Sequence, residues 1–262
     1  MIHLHDLNDP RLDYYRDLRH AQQLHSSSKV FLTDGEKITN TVLQSSLNIQ
    51  SILLTEELYQ KHHTMIQLKV NSDHCFIMSK QNMDELVGFN LHSPMMCIAH
   101  EPKTSEISLL QGPIIAMNGI VNSDNVGGII RNAIGLGYES IITDHTTSSP
   151  YLRRAIRVSM GAVAFAHCAY SSNLTEDLKE IRKNRGIPLI SGEITATSVS
   201  VTNFSFPKDF VLVLGSEGYG IDDEILAISD SIVHIPMSSQ IKSLNVSSSS
   251  AILLHAAMSS NR

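Results

Sequence analysis

Residues 211–222 read VLVLGSEGYGID: four apolar residues, then three glycines set around a serine, a glutamate and a tyrosine. An unbroken apolar run stopped by glycine reads as a strand buried on both faces, the pattern of a parallel sheet. Glycines where such a strand ends let backbone approach a ligand closely. In open α/β sheets that end is also where ligands bind, so the carboxylate of Glu217 is better explained by a site than by solvation.

Outward from this strand the same alternation continues. From Gly112 onward the spacing predicts a strand over 113–117 (PIIAM), a helix over 126–136, a strand over 140–143, a helix over 151–160 and a strand over 164–170. A helix over 174–184, strands over 188–191 and 210–214, a short helix from Asp222, a strand over 231–235 and a terminal helix from about Leu244 complete a doubly wound α/β reading with a mostly parallel sheet.

The N-terminal part is a smaller α/β/α module. Asp9 and Pro10 mark a helix start, and Leu12, Tyr15, Leu18, Ala21 and Gln22 follow at helical spacing, so one helix is expected to about Leu24. Strands are expected at 30–32, 49–55, 75–78 and 94–99, with helices at 36–46, 56–63 and 79–86. The polar stretch HEPKTSEIS at 100–108 reads as the linker, which sets domains at 1–103 and 109–262.

With 42% hydrophobic and 18% charged residues, the composition excludes a disordered or collagenous chain. The N-terminus turns polar at once and lacks the basic start and apolar run of a signal peptide, and no stretch approaches a membrane span. Cys75, Cys97 and Cys168 have no paired spacing, and the pairs His3/His5 and His62/His63 lack companion ligands. These features predict a cytoplasmic protein with reduced thiols, no membrane segment and no metal. The net charge of −6 argues against non-specific coating of nucleic acid. Between Tyr151 and Arg185, however, seven basic residues stand against three acidic ones, a local excess of +4.

Two further segments carry chemistry. In 122–137, NSDNVGGIIRNAIGLG, a glycine pair follows a strand and opens a helix, a turn suited to a phosphate, but the dinucleotide pattern G-x-G-x-x-G is absent. The plain alternative makes Asn125 the helix N-cap and Arg131 a surface charge. In 233–258, VHIPMSSQIKSLNVSSSSAILLHAAM, a helix begins with a serine-rich turn that propensity alone does not favour. Its plain reading has Ser243 capping the helix and Ser247–Ser250 packing closely on a neighbour.

Taken together, the order, spacing and strand contexts of NVGGIIRNAIGLG, LVLGSEGYGID and IPMSSQIKSLNVSSSSAILL resemble the three motifs of the SpoU/TrmH family of the SPOUT class. The resemblance covers the C-terminal domain. FLTDGEKITNTVLQSS at 31–46 also looks like the substrate-binding domain that many members carry.

The resemblance implies a trefoil-knotted α/β domain, a homodimer, S-adenosyl-L-methionine (SAM) as cofactor and 2′-O-ribose methylation of RNA. By motif match, Leu214, Gly215, Gly218, Gly220, Ile235, Met237 and Leu244 would hold SAM. Asn125, Arg131, Glu217, Ser243 and Asn245 would form the catalytic set. Because a guanidinium stays protonated, Arg131 is expected to bind the phosphate beside the target ribose and stabilise alkoxide charge, with Glu217 organising its loop. Arg153, Arg154 and Arg157 would take flanking phosphates of the RNA. Ser239 stands where the third motif usually has glycine, and Lys242 where many members have an acidic or small residue. The N-terminal module points to 23S rRNA ahead of tRNA. The competing reading, a SPOUT-like protein that grips RNA without turnover, is disfavoured by the intact catalytic set.

Overall fold

A computed structural model describes residues 1–18 and 22–260. The chain divides into two compact units: Met1–Pro102 with Tyr151–Ala164, and Lys103–Pro150 with Phe165–Arg262.

In chain order the first unit contains β1 (Ile2–His3), α1 (Gln22–Ser27), β2 (Val30–Asp34), α2 (Glu36–Leu43), β3 (Ile49–Leu54), α3 (Glu56–Lys69), β4 (Cys75–Ile77), α4 (Lys80–Val87) and β5 (Met95–His100). Its sheet has the order β1-β4-β3-β5-β2, in which β1, β4 and β3 are parallel and β5 runs antiparallel to both neighbours. Leu12, Tyr15, Leu32, Leu53, Phe76, Met83 and Ile98 fill the core on one face.

The expected single helix to Leu24 is corrected. Asp9 does cap Arg11 N and Pro10 opens the element, but it is a six-residue 3₁₀ helix, Pro10–Tyr15. Arg16 is extended and Asp17 takes φ 42°, which ends the helix. Gln22 starts the separate helix α1, and Ala21 lies outside the described residues.

The second unit continues with β6 (Ile114–Asn118), α5 (Ser123–Gly135) and β7 (Ser140–Thr143); the chain then enters α6 (Arg153–Val158) of the first unit. It resumes with β8 (His167–Tyr170), α7 (Leu174–Arg185), β9 (Leu189–Gly192), β10 (Val199–Ser200), β11 (Val211–Gly215), α8 (Asp223–Ile228), β12 (Ser231–His234) and α9 (Val246–Ser260). The sheet order is β10-β12-β9-β11-β6-β7-β8, and every pairing is parallel. All five residues of β11 are buried, as an apolar strand between two parallel neighbours requires. The chain builds from β6 toward β8 on one side and places β11 and β9 on the other. The carboxyl ends around β6, β11, β9 and β12 therefore form the switch-point crevice of an open sheet.

Residues 151–164, expected within the C-terminal domain, cluster with the first unit. The Tyr151 ring stacks on Phe31 at 5.7 Å, and Arg153 Nη2 donates to Asp34 Oδ2 at 2.6 Å. Arg153 also lies over the Phe89 ring, 5.2 Å from its centroid. Helical periodicity shows that 151–160 contains a helix but not which face of which sheet receives it.

Candidate active site

The loop after β11 is built by close backbone approach. A Cβ at Gly215 would overlap the Gly220 carbonyl and lie 2.5 Å from Ile221 N, so only glycine fits there. Gly220 has φ +71°, and a Cβ on it would fall 2.5 Å from Glu193 Oε2. Between them Ser216 and Gly220 exchange two backbone hydrogen bonds, at 3.0 and 2.9 Å, closing a tight turn with Glu217 and Tyr219 on it.

A cavity of about 400 Å³ opens at the carboxyl ends of β9, β11 and β12. Leu214, Gly215, Gly218, Gly220, Ile235, Met237 and Leu244 all line it, joined by Glu217 and Ser243. The charged side chains on its lining are Glu193, Glu217 and Asp223, and none is lysine or arginine. His234 also lines it, with Nδ1 buried and unpartnered.

Three of the motif residues meet through one carboxamide. Asn245 Nδ2 donates to Asn125 Oδ1 at 2.8 Å and to Glu217 Oε1 at 2.7 Å. Its Oδ1 accepts from Ser247 N and Ser248 N at 2.9 and 3.2 Å, so Asn245, not Ser243, caps α9. Asn122 plays that part for α5 by accepting from Asp124 N, which corrects the plain reading of Asn125 as the cap and leaves its buried side chain for Asn245. The serine-rich turn packs as anticipated: Asn132 Nδ2 donates to Ser247 O at 2.8 Å and to Ser250 Oγ at 3.0 Å, joining α5 to α9.

Arg131 does not line the cavity. It is exposed on α5 and borders a shallow depression with Gly135, Leu136, Ala251, Ile252 and His255. Of the basic run in the first unit, Arg153 is paired with Asp34, and both Arg154 and Arg157 occupy exposed positions. The structure does not leave Arg153 as a solvated phosphate ligand: its charge is already matched, with only 20% of its side chain exposed.

Two groups escaped sequence reading. Glu193, just after β9, accepts from Ile194 N at 2.9 Å and from Ile221 N at 3.2 Å, bracing the end of the glycine loop. Beneath the loop, Asn118 Nδ2 donates to both Asp144 Oδ2 and Asp222 Oδ2, at 3.0 and 2.9 Å. Burial pushes the Asp144 carboxyl up, but hydrogen bonds from Thr147 and Asn118 side chains and from Thr147 and Gly119 N–H groups outweigh it, so the net shift is downward. The only signal in sequence was position: Asn118 is the last residue of β6 and Asp144 directly follows β7.

Among the described residues no group of three or more His, Cys, Asp or Glu is placed to hold a metal ion, and no helix is long and apolar enough to cross a membrane.

The model of the SpoU rRNA Methylase family matches residues 112–255. An uncharacterized tRNA/rRNA methyltransferase of Mycobacterium bovis is 26% identical over 95% of this chain and 89% of its own length. A Bacillus subtilis protein named a 23S rRNA (guanosine(2553)-2′-O)-methyltransferase is 21% identical over 90% of this chain and 91% of its own. Among solved structures, an AdoMet-bound rRNA methyltransferase from Sinorhizobium meliloti superposes with a TM-score of 0.83 at 18% identity, covering 97% of this chain and 96% of that one. The SpoU methyltransferase AviRb from Streptomyces viridochromogenes, in complex with AdoMet, gives 0.80 at 18% identity over 97% and 98%. At these identities the superpositions establish the shared α/β fold.

Proposed function

The chain belongs to the SpoU rRNA Methylase family, and from that membership we propose that it transfers the methyl group of SAM to a ribose 2′-hydroxyl of structured RNA, 23S rRNA ahead of tRNA. The observation that carries this reading is the single Asn245 carboxamide joining Asn125 and Glu217 beside a glycine-built cavity. The named activity of the Bacillus subtilis relative supports the 2′-hydroxyl and the 23S substrate.

The residues present fit SAM. The cavity is apolar along Leu214, Val233, Ile235 and Leu244, and its charged lining is wholly acidic, a field that suits a ligand bearing sulfonium and ammonium charges. Gly215 admits no side chain, so Gly220 packs directly against it, and the loop so shaped lines the cavity where its backbone can meet an adenine edge.

When bound, SAM supplies an electrophilic methyl group. The chain's own residues then have to orient the ribose and favour loss of its proton. Asn245 holds Glu217 in place, and Glu217 in turn organises its loop. Ser243 lies on the cavity wall, where its hydroxyl can orient the incoming group. The guanidinium fork of Arg131 suits the RNA phosphate and developing alkoxide charge, worth a large rate factor when preorganised. Because it lies on the α5/α9 face and not on the cavity, we place its action across a homodimer joined through that face, where Ile252 is 40% exposed. The first unit is read as the RNA-docking module, with Arg154 and Arg157 as its outward charge. The trefoil knot and a cytoplasmic location belong to the same reading, the latter suited to three buried cysteines that form no disulfide among the described residues.

The test is transfer of tritium from labelled SAM to ribosomal and transfer RNA by the purified full chain, with nucleoside analysis of the product. Label in a 2′-O-methyl nucleoside of 23S rRNA is the expected result. Label on a base, or none in any RNA, overturns the reading.

A further inference from the structure

Tyr219 is 98% exposed, whereas Tyr15 and Tyr138 are 0% and 8% exposed. It stands between Gly218 and Gly220, neither of which has a side chain to cover its ring, at the mouth of the cavity after β11. A large aromatic left this bare normally sits on a pliant loop, but here the support is stiff. Ser216 and Gly220 close the turn with two backbone hydrogen bonds, Ser216 Oγ accepts from Tyr219 N at 3.1 Å, and Glu193 braces Ile221 N. The next residue, Asp222, is fixed by its backbone N–H to Asn118 Oδ1 at 2.8 Å.

We propose that Tyr219 is a positioning residue that stacks on an unpaired RNA base at the cavity mouth, so setting the target nucleotide. The inference rests on the function proposed above, which brings a ribose to this rim and leaves its base to be received nearby. The cavity lining has no lysine or arginine to grip the nucleotide, and its other ring, His234, is partly buried at the end of β12 whereas Tyr219 is bare. Stacking on Tyr219 is the interaction its fully exposed face offers a base there, and unstacked bases are what RNA-binding proteins commonly read through aromatic side chains. The rigid turn means the ring is preorganised, so little ordering entropy opposes the contact.

The experiment compares wild type with Tyr219→Phe and Tyr219→Ala in the full chain, using the RNA that wild type methylates. Tyr219→Ala should raise KM for RNA roughly ten- to hundredfold, the scale of one lost base–aromatic stack, with SAM affinity by calorimetry and the assembly mass by light scattering unchanged. Tyr219→Phe should restore KM to within about twofold, because the π face and not the hydroxyl makes the contact. Unchanged KM in Tyr219→Ala, while wild type methylates RNA, overturns the stacking alone. Weakened SAM binding or a dissociated assembly also overturns it, because the ring then covers the cofactor or a second copy. Failure of wild type to methylate any RNA removes the premise and the inference with it.

Discussion

Asn118 and Asp222 exchange two hydrogen bonds across 104 positions of sequence: Asn118 Nδ2 donates to Asp222 Oδ2 at 2.9 Å, and Asp222 N donates to Asn118 Oδ1 at 2.8 Å. The pair ties the end of β6 to the far side of the glycine loop. Asn118→Ala should lower stability by about 1–3 kcal/mol, because buried partners lose their donor and acceptor. Urea denaturation reads the loss, and calorimetry should show weaker SAM binding as the loop loosens.

Asp144 gives that network a pH dependence. Its carboxyl is held below its ordinary value of 3.8, so its contribution is complete above that value and disappears as pH falls through the lowered one. Asp144→Asn should therefore be less stable than wild type at neutral pH, with the gap narrowing as pH drops below about 4. Thermal melts across that range check it; a gap constant with pH would assign the effect to packing.

Two of the three glycines at and after the end of β11, Gly215 and Gly218, should behave differently. Gly215→Ala forces a Cβ into the Gly220 carbonyl and should destabilise by about 1–3 kcal/mol or more. A Cβ at Gly218 meets nothing within 4 Å, so Gly218→Ala should leave the melting temperature unchanged. Differential scanning fluorimetry of both variants is sufficient.

Asn245 has two duties and Glu217 one. Asn245→Ala should cost about 1 kcal/mol of stability through the lost α9 cap, while exposed Glu217→Ala should cost little. In kcat/KM the double variant should depart from additivity by about 0.5–3 kcal/mol, since the side chains share a hydrogen bond. A cycle that closes additively would deny the pair a common task.

Arg153→Ala should act on folding and not primarily on RNA. It breaks a largely buried ion pair with Asp34 and should cost about 3 kcal/mol. Arg157→Glu, at an exposed position, should instead weaken RNA binding with stability retained. Filter binding and melts of each variant separate the two effects.

Sequence exposed most of the second unit's sheet because its central strands are buried on both faces, so VLVLG and PIIAM read as short apolar runs bounded by glycine and proline. The cavity wall was legible because its residues lie in motifs at strand ends. Other features depend on contacts that no local pattern encodes. Strand β10 is two residues long and is defined by pairing with β12. The importance of Glu193 arises from Ile221, 28 positions away. The capping roles of Asn122 and Asn245 were missed because Asn and Ser neighbours offered equally good capping chemistry.

Because Tyr151–Ala164 belongs to the first unit, that unit is inherited as two pieces of chain. A chimera that swaps only residues 1–102 for those of a relative would keep a foreign helix against the new β2, with Arg153 facing whatever replaced Asp34. Exchange of this unit therefore demands coordinated change at two separate places in the gene, a barrier to simple domain shuffling.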